Sequence, residues 1–344
     1  MYLPVLCILV FPVFFTVYGQ DDLPNLVAVV WTNGERNPTY VCKNDKNVES
    51  TWIQGYGALT KKGMSQHAAI GDTIYKSYLP KNAKYHSNSV YFRSSDDSAA
   101  IASAYANLIG IYYRRSHQSG KDYPSVTGWP QDFVPVPVHG AEPTTDYELN
   151  GGSNCKLYQS VVDKIVQSDE YANFTVKNNA TITDISDVCG DEITPFDLWK
   201  LEEASNAENS MNRTNLFTPE QQKMIHDMYV DFEAIKYKVD QWKLEMASAR
   251  GGNLLWHIVQ NMITKSNCTK DNWPLGHICH WMNPLRLYAY STDMVMARSL
   301  VANFDDKTIY NTTFSSSNPF VLAFALFNNS GRWEFEVVRE AAAD

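Results

Sequence analysis

Leu26 to Pro38 reads LVAVVWTNGERNP, an apolar run rich in β-branched side chains that ends abruptly in a polar turn. A run that is apolar at every position, instead of every second one, marks a strand buried on both faces, and such strands belong to parallel sheets covered by helices. Open α/β sheets gather their ligand chemistry just outside the carboxyl ends of the strands. The turn Thr32 to Pro38 is therefore the first place to look for a site.

The flanking sequence repeats the pattern. From Thr60, TKKGMSQHAAIGDTIYKSY places apolar or small residues at helical spacing; Val90 to Phe92 is a second short strand, ending before Arg93; Ser95 to Tyr113 is helical again. Strand, helix, strand, helix predicts an α/β fold, a mostly parallel sheet with helices on both faces. Pro124 to Pro143 is Pro-rich, and Cys155 to about Met246 is dominated by charged amphipathic helices such as MIHDMYVDFEAIKYKVDQWKLEMASA, which reads as an inserted α-helical cap domain. After Gly251-Gly252 the helix LLWHIVQNMITK resumes, LRLYAYSTD supplies a strand and its C-terminal turn, and FVLAFALF and RWEFEVV flank NNSG as an antiparallel hairpin on the sheet edge. The expected domains are a core of residues 20–148 and 247–344 and a cap of residues 149–246. No internal repeat and no nucleotide-binding glycine fingerprint occurs.

Residues 1–19 carry no charge, contain the apolar run Leu3 to Phe15, and place Val17 and Gly19 at the −3 and −1 positions of a cleavage site, the pattern of a signal peptide. Pro4, Pro12 and the acidic Asp21 and Asp22 argue against a membrane span. The mature chain is thus expected to begin near Gln20 and to be secreted and extracellular, with no membrane partner. Secretion gives meaning to six Asn-x-Ser/Thr sequons, at Asn173, Asn179, Asn212, Asn267, Asn311 and Asn328. Counting 29 Lys+Arg against 38 Asp+Glu gives a net charge of −9, which sets nucleic acid aside as a partner. Aromatic residues are 13% of the chain, with 9 Trp and 20 Tyr, a usage suited to flat, partly polar contact with a ligand.

With Cys7 in the leader, Cys42, Cys155, Cys189, Cys268 and Cys279 remain, an odd set whose spacing does not resemble a zinc site. Cys268 and Cys279 close a short, turn-rich loop and form the first expected disulfide; Cys155 with Cys189 is the second, leaving Cys42 free. Neither a metal nor an organic cofactor is called for.

The stretch from Trp52 to Tyr78, WIQGYGALTKKGMSQHAAIGDTIYKSY, resembles the histidine acid phosphatases almost position by position, through the motif W-x-x-G-x-G-x-L-T-x-x-G-x-x-Q-H-x-x-x-G. YFRSSDDSAAIASA is similar to the family's R-S-T-D element and VPVPVHG to its P-x-P-V-H stretch, so the resemblance covers nearly all of the mature chain. It implies the α/β fold with a helical cap. It also implies a phosphatase whose first strand ends in R-H-G-x-R-x-P, where His attacks phosphorus and the arginines clamp the phosphate. Here that place reads Thr32-Asn33-Gly34-Glu35-Arg36-Asn37-Pro38. Thr32 replaces the first clamp, and Asn33 stands where the nucleophile should be, with an amide nitrogen that has no lone pair to offer. The family's second half-site, H-D on a late strand, is Ser291-Thr292 in LYAYSTDMV, so the proton donor is missing too. His67 belongs to the helical Q-H and His139 to P-V-H, and neither occupies the nucleophile's place. Arg36 and Arg93 are retained. The expectation is a pseudoenzyme.

A strand-end cleft keeps its concavity after its chemistry goes. Removing one Arg and two His takes away positive potential, and Glu35 and Asp293 bias the cleft toward cations. Trp31 precedes the turn, and Phe196 and Trp199 in TPFDLW match the F-x-x-W with which the family lines its pocket from the cap; Phe196 also reads as core, Trp31 reads more readily as core than as a ligand contact, and Trp199 reads equally well as either. Arg36 and Arg93 either hold a ligand hydroxyl or carboxylate or pair with Glu35, Asp96 or Asp97. The expected ligand-binding set is Trp31, Asn33, Glu35, Arg36, Arg93, Phe196, Trp199, Ser291 and Asp293. Secretion together with a degenerate acid phosphatase frame resembles the acid phosphatase-like salivary proteins of blood-feeding fleas. That resemblance implies a salivary protein that sequesters small host mediators, biogenic amines such as serotonin or cysteinyl leukotrienes. Two alternatives stand beside it: an acid phosphatase with residual or altered activity, and an antihaemostatic protein acting through its surface.

Overall fold

A computed structural model describes residues 10–11, 23–113, 115, 117–268, 276–304 and 317–340. Among these residues the strands are β1 (Val10–Phe11), β2 (Leu26–Thr32), β3 (Val90–Ser94), β4 (Val138–His139), β5 (Leu287–Thr292), β6 (Val321–Asn329) and β7 (Arg332–Glu340). The α-helices are α1 (Lys61–Tyr78), α2 (Ser98–Tyr112), α3 (Lys156–Val166), α4 (Asp169–Cys189), α5 (Leu198–Ser210), α6 (Pro219–Lys238), α7 (Lys243–Asn267), α8 (Gly276–Met282) and α9 (Met294–Val301).

The strands form one mixed α/β sheet in the order β1-β7-β6-β2-β5-β3-β4, in which β2, β5, β3 and β4 run parallel. All of β2 is buried, as its unbroken apolar run requires. Alternate residues serve opposite layers: Val27, Val29 and Trp31 pack with Ile70, Ile74, Leu108 and Ile111 of α1 and α2, while Leu26, Ala28 and Val30 pack with Leu254, Ile258, Ala297 and Leu300 of α7 and α9. The C-terminal hairpin forms as expected, through a two-residue turn in which Ser330 and Gly331 both have positive φ. It does not sit wholly on the edge: β6 pairs with β2 inside the sheet, because its own seven-residue buried run, Val321 to Phe327, needs cover on both faces. Val10–Phe11, inside the expected leader, pair with Val337 and Val338 of β7.

Helices α3 to α6 pack around two further apolar clusters, one around Phe174, Ile185, Leu201, Ile225 and Phe232 and one around Val161, Ile165 and Tyr237 that Trp242 and Met246 at the start of α7 complete. The long charged stretch expected as one helix breaks at residues 239–242, between α6 and α7. Conversely, α7 does not restart after Gly251-Gly252 but runs through them. Gly251 is where α7 and α9 touch, since a Cβ there would lie 2.5 Å from the Leu300 backbone nitrogen. Glycine marks a close helix approach, not a stop.

The disulfides are Cys268–Cys279, as expected, and Cys42–Cys189, whose Cα atoms are 4.8 Å apart. The expected Cys155–Cys189 bridge is therefore incorrect, and Cys42 is not free. Cys189 ends α4 facing the chain that leaves the strand-one turn, and Cys42 is buried in the same apolar cluster. Cys155 opens α3 instead, where its Sγ accepts a hydrogen bond from the Tyr158 amide at 3.4 Å. Cys42 and Cys189 close a loop 147 residues long, so Cys42→Ser is expected to cost about 2–5 kcal/mol of stability in thermal unfolding. Cys155→Ser is expected to stay within about 0.5 kcal/mol of the parent. Equal losses would contradict the pairing.

The sequon residues Asn173, Asn179, Asn212 and Asn328 are exposed and Asn267 is half-buried; Asn311 lies outside the described residues. Among the described residues no helix is long and apolar enough to cross a membrane.

Candidate functional site

The register of the sheet brings the two halves of the expected site together. Trp31 lies opposite Ser291 and Thr32 opposite Thr292, so the ends of β2 and β5 adjoin although 260 residues separate them. Thr32 is locked there, its backbone N–H donating to the Phe320 carbonyl and its Oγ1 accepting from the Phe320 amide at 2.9 Å. The next two residues form the turn. Gly34 donates its N–H to Ser103 Oγ and packs against Gly63 of α1 so closely that a Cβ would fall 2.6 Å from the Gly63 carbonyl oxygen. That contact explains the glycines of N-G-E and T-K-K-G and holds Asn33 at the mouth of the strand.

A cleft opens there, with a cavity of about 120 Å³ lined by the strand-one turn (Thr32, Asn33, Gly34, Arg36), by Trp199, Glu202, Glu203 and Asn206 of α5, by Tyr229 of α6, and by Asp293, Met294 and Val295 where α9 begins. Thus Asn33, Arg36, Trp199 and Asp293 of the expected set meet in one place. The other members do not. Trp31 is fully buried, and its indole N–H donates to Ser291 Oγ at 2.9 Å. Ser291 is fully buried as well, donating in turn to the Ala100 carbonyl at 2.6 Å. Glu35 turns away to Lys62 Nζ at 2.8 Å and Thr60 Oγ1 at 2.9 Å. Arg93 is held outside the cleft by Asp146 at 2.6 Å and Glu148 at 3.8 Å. Phe196 stacks edge-on against Phe232, ring centroids 4.9 Å apart, within the cap core. Thr292 is fully buried, its Oγ1 without a hydrogen-bond partner.

Arg36 is the cation of the cleft, and it is already engaged. Glu203 Oε1 accepts from its Nη2 at 2.7 Å and its Nε at 3.0 Å, with Asp97 at 3.6 Å. Burial works against the charged guanidinium, but Glu203 and Asp97 outweigh it and raise its pKa above the ordinary value. The other oxygen of Glu203 accepts from Thr39, from the amide at 3.0 Å and from Oγ1 at 2.5 Å, so this carboxylate is saturated. Cancelling the Arg36–Glu203 pair leaves Glu202 and Asp293 as charges facing the cavity. Glu202 Oε1 accepts from Asn206 Nδ2 at 3.0 Å and lies 2.9 Å from His226 Nδ1. One oxygen of Asp293 caps α9 by accepting from the Met296 amide at 2.7 Å. Burial raises the pKa of the Tyr229 phenol, which stays a neutral ring on the wall.

His67 offers no substitute nucleophile. It is fully buried in α1, its Nε2–H donates to the Thr32 carbonyl at 3.1 Å, and burial pushes its pKa down to about 4. A neutral imidazole fixed to the back of the strand is a structural tie.

Glu202, Glu203, Asn206, Tyr229, Met294 and Val295 were not among the expected residues. A signal for three of them exists: Trp199, Glu202, Glu203 and Asn206 stand at i, i+3, i+4 and i+7 of α5 and so share one face of the helix. A polar stripe in phase with the F-x-x-W tryptophan marks the wall of the cleft.

Comparison with known proteins finds acid phosphatases among the relatives of the chain. It is similar to the lysosomal acid phosphatase of Xenopus laevis, 28% identical over 280 residues that cover 79% of this chain and 60% of the relative. It is also similar to the human lysosomal enzyme, 29% identical over 180 residues covering 51% of the chain and 40% of the relative. The matched part is thus three fifths or less of the length of these relatives. In fold it resembles apo Hafnia alvei phytase, with a TM-score of 0.56 at 13% identity over 92% of this chain and 84% of that one. The family model for the histidine phosphatase superfamily, branch 2, matches residues 20–301, and the chain belongs to that family.

Proposed function

We propose that this chain is a secreted, catalytically silent member of its family that binds and sequesters a small aromatic amine in the relic of the phosphatase cleft. One observation carries the reading: at the adjoining ends of β2 and β5, where the resemblance puts nucleophile and acid, stand Asn33 and Thr292, and Asn33 faces a cavity whose uncancelled charges are carboxylates. An ammonium gains from Glu202 and Asp293 what a phosphate would lose, and half-buried Trp199 in the lining offers an aromatic ring a stacking partner, with Lys200 Nζ already 6.0 Å from its ring centroid. A cavity of about 120 Å³ favours an amine over a long-chain lipid mediator. The retained Arg36 does not restore a phosphate site, because Glu203 and Asp97 already hold it.

The test is calorimetric titration with serotonin, noradrenaline and histamine, with p-nitrophenyl phosphate turnover assayed in parallel at acidic pH. Heat with an amine and no turnover is the expected result; turnover with no amine heat would favour an acid phosphatase of altered activity. Asp293→Asn keeps a competent helix cap while removing the charge, and it is expected to weaken amine binding by about 1–3 kcal/mol. Unchanged affinity in that variant would move the ammonium elsewhere.

A further inference from the structure

Two histidines touch the lining of the cleft. His67 is tied to the Thr32 carbonyl, and burial pushes its pKa down to about 4, so it stays uncharged near neutral pH. His226 of α6 is exposed, with 49% of its side chain accessible, and its Nδ1 lies 2.9 Å from Glu202 Oε1. Glu202 lines the cavity with 16% of its side chain accessible, and the same Oε1 accepts from Asn206 Nδ2 at 3.0 Å. A neutral imidazole leaves the charge of Glu202 uncancelled; an imidazolium cancels it, as Arg36 cancels that of Glu203. The other charges on and against α6 are engaged elsewhere. On the same helix Lys223 holds the Asp227 carboxyl below its ordinary pKa, with a lesser pull from His226. From α4, Lys177 pairs with Asp231 at 3.3 Å and Asp184 accepts from Gln221 at 3.0 Å, while Arg298 of α9 joins Lys236 on Glu233.

We infer that His226 and the ammonium of a ligand compete for Glu202, so that the cleft takes up an amine near neutral pH with release of a proton and gives it up on acidification. Imidazole is the side chain whose ordinary charge change falls between about pH 5 and 8, whereas an alkylammonium, like that of lysine, stays charged throughout. On the acid side of that range His226 occupies Glu202 and repels a second cation; on the alkaline side the carboxylate is open to the ligand. The coupling is reciprocal, since an ammonium at Glu202 disfavours the proton on His226 by the factor by which that proton weakens the amine. This rests on the amine reading of the cleft. It adds that the hold on the ligand is set by pH, through a residue outside the cavity lining.

Serotonin and tyramine, titrated calorimetrically into the full chain, into His226→Gln and into Glu202→Gln, test it, with thermal unfolding confirming that each variant is folded. Affinities are compared at about pH 7.5 and about pH 5.5, either side of the imidazole range. Near pH 6.5 the heats are compared in phosphate and in Bis-Tris, whose unlike ionisation enthalpies count the protons released. The parent is expected to bind at least about fivefold more weakly at the lower pH, the small end of ordinary coupling between two sites, and to release a fraction of a proton per amine bound. In His226→Gln the affinity ratio is expected to shrink to within about twofold and the buffer dependence to vanish. Glu202→Gln is expected to lose the pH dependence as well and to bind more weakly than the parent at the higher pH. Amine binding that is flat with pH in the parent, a pH dependence that survives in His226→Gln, or full affinity in Glu202→Gln would overturn the inference while leaving the amine reading intact. No heat from either amine at either pH would overturn both.

Discussion

Purified protein is expected to release no p-nitrophenol from p-nitrophenyl phosphate above the buffer rate, a deficit on the order of a millionfold, as when a covalent nucleophile is deleted. Asn33 cannot attack phosphorus, Thr292 is no substitute for a carboxylic acid, and Arg36 is neutralised by Glu203. Asn33→His alone is not expected to rescue turnover, since members of one catalytic unit do not compensate for each other. Nor does adding Thr32→Arg, Ser291→His and Thr292→Asp meet the difficulty. Ser291 is fully buried, with its hydroxyl spanning from the Trp31 indole to the Ala100 carbonyl, so an imidazole there must displace the tryptophan on which α1 and β3 pack. Turnover that tracks with the purified parent, or with Asn33→His, would show that the motif is misplaced.

Glu203→Ala is expected to be the most damaging single substitution in the cleft, costing about 3–5 kcal/mol. It leaves the guanidinium of Arg36 in a largely buried position with only the more distant Asp97, and it removes the one acceptor, Oε2, that serves both the amide and the hydroxyl of Thr39. For a chain of this size each kcal/mol moves the melting temperature by roughly 2–4 °C, so a drop of at least about 6 °C is expected by differential scanning calorimetry. The paired substitution Arg36→Met with Glu203→Leu removes both charges and is expected to cost markedly less than Glu203→Ala alone. A double variant as unstable as the single one would mean that packing, not an uncompensated charge, sets the loss.

Much of the scaffold was legible because it obeys local periodicity. A strand buried on both faces must be apolar throughout, which is why LVAVVW announced β2, and Thr60, read as the start of a helix, does cap α1 by accepting from the Gly63 amide at 3.1 Å. What was not legible depends on partners distant in sequence. Gly251-Gly252 looks like a stop until α9 is seen lying against Gly251, and the partner of Cys189 could not be chosen without knowing that Tyr40 and Cys42 return to α4. In the site, strand ends told where the cleft is, but not which way side chains turn. Glu35 and Arg93 were expected to face a ligand because each sits beside a strand end; Lys62 claims the first and Asp146 the second. Local pattern places a residue at the mouth of a strand, whereas the nearest opposite charge decides its direction.

The unbroken course of α7 bears on speed. At its N-terminal end Trp242 and Met246 pack with Val161, Ile165 and Tyr237 of α3 and α6, and further along Leu254, Ile258 and Met262 pack with Leu26, Ala28 and Val30 of β2, so one rod of about 37 Å is shared by both apolar clusters. Helix α7 runs along that path without a break. For the sequestering role proposed above, a cleft that needs no prior rearrangement leaves capture limited by encounter, since association rates fall when binding must first rearrange the receptor. Long-range attraction of a cation by a chain of net charge −9 raises the encounter rate further, most of all at low ionic strength.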